Sequence, residues 1–192
     1  MKKIIIFAIL FFSTISNISA EDIKRIIVGN KDAKITIITF ESLTCSHCAN
    51  FHKDVYPELK KDYLDTGLAK IEFRHFPLDI AAFNASKVSQ CNNDGDSKIL
   101  NSFYANQQKW VKGSSVQEAN ENLKKFLVSE GYNVDFEKCI NDKEIEDFVL
   151  NDRIDAVKKY KISSTPTIII NDEKFEKTLN YKNLKKALEK LI

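Results

Sequence analysis

Three consecutive segments restrict what this chain can fold into. They are a β-branched run, Ile35-Thr36-Ile37-Ile38-Thr39-Phe40, a close cysteine pair, Cys45 and Cys48, and a stretch of helical period after them. The run lacks polar alternation, which predicts a strand buried on both faces. Phe51, Val55, Leu59 and Tyr63 then recur at four-residue steps as far as Gly67, the pattern of a helix ended by glycine. Pro57 inside it predicts a kink. From Ala69 to Phe76 apolar and polar residues alternate up to Pro77, a second strand. Strand, helix and strand within residues 35–76 make a βαβ unit with parallel strands. The cysteine pair falls at the carboxyl end of the first strand, where open α/β sheets carry their chemistry.

The flanks complete the architecture. Ile26-Ile27 is assigned to a short edge strand, ahead of the turn Gly29-Asn30-Lys31-Asp32. From about Asp79 to Tyr160 the pattern is helical, with a capping box at Ser115 and Glu118. Asn133 is the expected cap of a brief helix carrying Cys139, and Phe103, Tyr104, Trp110 and Phe126 read as core. A strand pattern returns over Thr165–Ile170, turns toward Phe175, and ends in an amphipathic helix carrying Leu184, Ala187, Leu188 and Leu191. The simplest reading is one α/β domain with a helical insertion.

Met1-Lys2-Lys3, the apolar run Ile4–Phe12 and the small residues Ser19-Ala20 have the layout of a secretory signal peptide, with cleavage expected near Ala20. Removing Lys2 and Lys3 would level the 29 basic side chains with the 27 acidic ones. A neutral protein has no global field for collecting nucleic acid or anionic lipid, so neither is an expected partner. No later run is long and apolar enough to span a bilayer, so a soluble mature protein is expected. Four cysteines in an exported chain allow three connectivities. The close pair leaves Cys91 and Cys139 for each other, and a long-range structural disulfide is the expectation outside the cytoplasm.

By spacing alone, Cys45-Ser46-His47-Cys48 admits a local staple, a zinc knuckle that includes His47, or a redox pair. A second knuckle is missing, and covalent haem attachment would need histidine where Ala49 stands. In the redox reading Cys45 is the exposed thiolate at a helix start, where unpaired N–H groups and the helix dipole favour it. Cys48 is shielded one turn on, and His47 stabilises the thiolate. Glu41 is either a buried carboxylate that tunes the pair or a surface acid. His52 and His75 read as structural or surface residues.

Glu41-Ser42-Leu43-Thr44-Cys45-Ser46-His47-Cys48, the Pro57-Glu58-Leu59 helix, His75-Phe76-Pro77-Leu78 and the late Thr165-Pro166-Thr167 together resemble DsbA-type thiol:disulfide oxidoreductases. The resemblance implies a thioredoxin fold interrupted by a helical domain. Its divisions are a signal peptide over 1–20, thioredoxin parts over 21–78 and 151–192, and an inserted helical domain over 79–150. It also implies a nucleophile at Cys45, a resolving thiol at Cys48, and a cis-proline at Pro166, with Thr165 offering its main chain to substrate. The implied activity is a periplasmic dithiol oxidase with no cofactor beyond its redox-active disulfide. Its partners would be reduced or unfolded exported proteins and a quinone-linked membrane oxidase of the DsbB kind. A monomer is expected, since only a short segment precedes the first core strand and the dimerising isomerases need more. A disulfide isomerase or reductase and a non-enzymatic chaperone are the alternatives. Ser46 stands where the commonest motif of the family has proline, which leaves the redox potential open.

Overall fold

The computed structural model describes residues 23–91, 95 and 98–192, and the stretch read as a signal peptide falls outside them. The first elements are β1 (Ile26–Gly29), β2 (Ile35–Glu41), α1 (Ser46–Asp54), the short α2 (Tyr56–Leu59) continued by a π-helical turn at Lys60–Leu64, and β3 (Ala69–His75). A helical block follows: α3 (Ile80–Cys91), α4 (Lys98–Ala105), α5 (Gln107–Trp110), α6 (Val116–Ser129), α7 (Phe136–Asn141) and α8 (Lys143–Tyr160). The chain returns to the sheet with β4 (Thr167–Ile170) and β5 (Glu173–Lys174) and closes with α9 (Tyr181–Leu188). The strand order is β1-β3-β2-β4-β5. β2 and β3 run parallel, while β1 and β4 add antiparallel to them. This is a thioredoxin fold with a helical insertion between β3 and β4.

The apolar run of β2 is explained by what covers it. Ile35 and Ile37 pack into the cluster that holds Phe51, Leu59 and Leu184, whereas Ile38 and Phe40 pack with Ala156 and Ile162 on the other face. With both faces covered, polar alternation has nowhere to go. The register pairs Phe40 with Thr167, so residues 165 and 166 arrive beside the carboxyl end of β2 and meet the loop that carries Cys45. The insertion has its own aromatic centre, in which Phe103, Tyr104, Trp110 and Phe126 are all buried. The Trp110 indole N–H donates to the Phe103 carbonyl at 2.9 Å.

Several local expectations shift. Pro57 does not kink a continuous helix: α1 stops at Asp54, and the chain restarts with Pro57 in the first turn of α2, where its missing N–H costs nothing. The cap of α7 is Asp135 rather than Asn133, its carboxylate accepting from the Lys138 N–H at 3.1 Å. Ser115 Oγ accepts from the Glu118 N–H, while the Glu118 carboxylate turns back to the Ser114 N–H. The boundary placed at residue 150 falls inside α8, which packs against both α3 and β3. One residue of that helix, Asp152, is fully buried, pairs with Arg25 and accepts the His75 N–H at 3.0 Å. Insertion and sheet therefore share a helix and do not part cleanly there. Cys91 and Cys139 form a disulfide that joins α3 to α7.

Candidate active site

Cys45 is the N-cap residue of α1, and the pair Cys45 and Cys48 is in the dithiol form. The turn before the helix closes with the Cys45 N–H on the Ser42 carbonyl at 3.0 Å, which lifts Cys45 to the surface. Cys48 is completely buried. Burial and position split the two sulfurs. The Cys45 thiol is pushed down to about 5, first because the Cys48 thiol donates to its sulfur, then through Thr165 and the N–H groups of Cys48 and His47. Loss of hydration pushes the Cys48 thiol strongly up, helped by its bond to Cys45 and by the negative charge of Glu41. One thiolate and one thiol is the ground state of the reduced pair at neutral pH.

Thr165 meets Cys45 twice. Its carbonyl lies 3.5 Å from Sγ, and its hydroxyl, buried and without another partner among the described residues, favours the thiolate. The Thr165–Pro166 peptide bond is cis. Beside them runs an open groove of about 490 Å³, lined by His47, Asn50, Phe51, Pro166, Leu179 and Tyr181 among others. The His47 side chain is exposed along this groove; at the sulfur its contribution is the main-chain N–H. The structure thus brings together Cys45, Cys48, Thr165, Pro166 and the backbone of His47. Cys91 and Cys139 belong to the insertion instead. Among the described residues no group of three or more His, Cys, Asp or Glu is placed to hold a metal.

Three more residues stand at the site: Glu41, which the sequence left open between a buried tuning carboxylate and a surface acid, and His52 and Gln107, which carried no signal for it. Glu41 is buried, accepts from Thr39 Oγ1 at 2.7 Å, and lies 2.7 Å from Nε2 of His52. His52 is buried with it, stacked on Tyr104 at 4.0 Å between ring centroids. From α5, Gln107 donates through Nε2 to the carbonyls of Leu43 (2.8 Å) and Cys45 (2.9 Å), fastening the insertion to the dithiol loop. A second tie runs from Thr44 Oγ1 to Asp79, whose other oxygen accepts the Ala82 N–H and so caps α3. These contacts span tens of residues, and no local pattern encodes them.

The split between the thiols gives a direct test. Iodoacetamide should label Cys45 alone in the native reduced protein, with a rate that rises through a midpoint near about 5, read by peptide mass spectrometry. A midpoint near the ordinary thiol value would remove the basis for the split. A linked effect follows for stability. A depressed thiol pKa stabilises the reduced fold fully above the unfolded value of 9.0, and that contribution is lost as pH falls through about 5. The disulfide form has no such group. The melting temperature of the reduced protein minus that of the oxidised one should therefore rise between about pH 5 and 9.

The comparisons agree with this geometry. A family model described as thioredoxin matches residues 21–190. The crystal structure of α-DsbA1 from Wolbachia pipientis is similar with a TM-score of 0.76 and 30% identity, over 87% of this chain and 90% of that one. The chain is a DsbA-type member of the thioredoxin family. A Rickettsia bellii protein named as a protein-disulfide oxidoreductase is 27% identical to this DsbA-type chain over 175 residues. That match takes in 89% of this chain and 66% of the relative, so the chain spans just under two thirds of it. Disulfide bond formation protein D of Bacillus subtilis is 26% identical, over 85% of this chain and 75% of its own.

Proposed function

We propose that this protein is a dithiol oxidase that donates the Cys45–Cys48 disulfide to exported proteins in the periplasm. The observation that carries the reading is the unequal pair: an accessible sulfur stable as a thiolate beside a buried one held as a thiol. A thiolate that is stabilised only in the reduced protein is a good leaving group, which makes the oxidised protein an oxidant. A client thiolate attacks Cys45 Sγ, the Cys45–Cys48 bond breaks, and Cys48 takes a proton. The second client thiol then attacks the client sulfur of the mixed disulfide. That step forms the client disulfide and releases Cys45 as a thiolate. His47 and Pro166 flank the groove where the client lies, and the main chain of Thr165 pairs with it as an added strand would. A quinone-linked membrane oxidase of the DsbB kind restores the disulfide. Among the described residues no helix is long and apolar enough to cross a membrane.

The experiment is equilibration of the pair against glutathione buffers together with oxidation of a reduced dithiol peptide. The expected result is a strongly oxidising equilibrium and stoichiometric peptide oxidation by the oxidised protein, both lost in Cys45→Ala. A thioredoxin-like equilibrium would turn the reading to a reductase. Rescue of scrambled ribonuclease without added oxidant would turn it to an isomerase. Activity that survives loss of both thiols would turn it to a chaperone.

A further inference from the structure

Resting on the exchange reading above, a proton must reach Cys48 each time the disulfide is passed on and must leave when it is restored. The sulfur that needs it has no contact with solvent: Cys48 is 0% exposed. Behind it stands Glu41, 3% exposed, whose charge is felt at Cys48. The Glu41 carboxylate is held by Thr39 on one oxygen and by His52 Nε2 on the other. The His52 ring is clamped, stacked on Tyr104 with 18° between the planes and on Phe73 with 29°. Its other nitrogen, Nδ1, is buried and has no hydrogen-bond partner among the described residues. His52 also lines a cavity of about 740 Å³ between α1 and the α4–α5 segment, with Ser46, Lys53 and Tyr104 also on its walls.

A histidine kept for packing alone would not need an acid on one nitrogen, an unpaired second nitrogen and a place on a cavity wall. A histidine kept as a mere counter-charge could be replaced by lysine, which cannot accept a proton at one atom and release it from another. We infer that His52 is the proton outlet of the buried thiol, connecting Glu41 and Cys48 to water in the α1–α4 cavity. When the Cys45–Cys48 bond breaks, its electron pair goes to Cys48 Sγ, and that sulfur takes a proton passed on by the Glu41 carboxylate as the carboxylate receives one from His52 Nε2–H. The ring takes a replacement proton from water at Nδ1. One solvent proton enters per disulfide passed on, and the same path runs outward on reoxidation. His52 acts through Glu41 and is a positioning residue, not one that touches the reacting sulfurs.

The other groups around the pair do not offer this route. The Tyr104 hydroxyl also bonds to Glu41, but burial first, and then the charge of Glu41, hold its proton in place, so it has none to give up. Lys53 lines the cavity but is not among the groups bonded to Glu41. His75, on β3, feels the Glu41 charge, but burial disfavours its charged form, its ring is bonded to Gln90, and its Nε2 has no hydrogen-bond partner among the described residues.

The test uses dithiothreitol as reductant, so it does not depend on the protein having peptide clients. Single-turnover reduction and reoxidation of the Cys45–Cys48 bond are followed by acid quench and mass spectrometry. In His52→Gln, which keeps the size and the bond to Glu41, both directions should slow by about tenfold or more with their ratio unchanged. In His52→Ala, added imidazole should restore most of the rate, while pyrrole, of the same size but unable to carry the proton, should not. Rates within twofold of the parent, or equal rescue by imidazole and pyrrole, would overturn the inference. Should both variants fail to fold, the parent protein decides: the ¹⁵N shifts of the His52 ring should differ between oxidised and reduced forms at one pH, and unchanged shifts would sink it. A parent that exchanges with dithiothreitol but oxidises no peptide would instead overturn the oxidase reading.

Discussion

Cys48→Ala is expected to abolish disulfide donation and to leave oxidised clients covalently joined to Cys45. The buried thiol has two tasks in the exchange: it is the partner in the disulfide that is given away, and it is the internal nucleophile that frees Cys45 when a client stalls. With alanine there, Cys45 remains half-buried at the start of α1, and its N–H donors and Thr165 stay in place. The donation from the Cys48 thiol, the largest of the causes that lower the Cys45 thiol, is gone, so its pKa should rise part of the way back. Two readouts follow. Mixed disulfides should accumulate on non-reducing gels after incubation with an oxidised peptide, and the alkylation midpoint of Cys45 should move upward. Absence of mixed disulfides, with Cys45 still reactive to iodoacetamide, would mean that the groove does not admit a client.

The second large effect belongs to the insertion. Replacing both Cys91 and Cys139 by alanine should lower the folding free energy by about 4 kcal/mol, since the bond closes a loop of 48 residues and its chief effect is to restrict the unfolded chain. Cys139 is fully buried and α3 packs on α7 without the bond, so the folded insertion should persist. Urea unfolding with intact far-UV signal reads the loss. The equilibrium of Cys45–Cys48 against glutathione should stay where it was. If that equilibrium moves while stability does not, the bond tunes the dithiol and is not a staple.

What could be read from the sequence was what repeats or lies close along the chain. The strands β2 and β3, the helix between them and the position of the cysteines follow from periods of two and four residues and from β-branching. The burial of β2 on both faces follows from its lack of polar residues. The pairing of Cys91 with Cys139 was open to cysteine arithmetic. For Glu41 the sequence offered a buried tuning carboxylate as one of two readings, but its pairing with His52 was not legible in this way. They are eleven residues apart, and the histidine sits one turn into an amphipathic helix where a solvated side chain is the ordinary outcome. What buries it is α4, folded back from the insertion to bring Tyr104 over the ring. Gln107 was invisible for the same reason. Asn133 was the expected cap, but α7 begins at Phe136 and the cap is Asp135, whose carboxylate accepts the Lys138 N–H. Residue 150 lies within α8, which packs against both α3 and β3.

The amide of Gln107 also settles which side of the dithiol a visiting chain can use. The Cys45 carbonyl already accepts from the Ala49 N–H and from Gln107, and the Leu43 carbonyl is taken by Gln107 as well. The loop ahead of the reactive sulfur therefore offers little free acceptor edge on the insertion side. Under the proposed oxidase reading, an incoming backbone is therefore expected to pair with the main chain of Thr165, and Gln107, a side chain of the insertion, helps to direct it there.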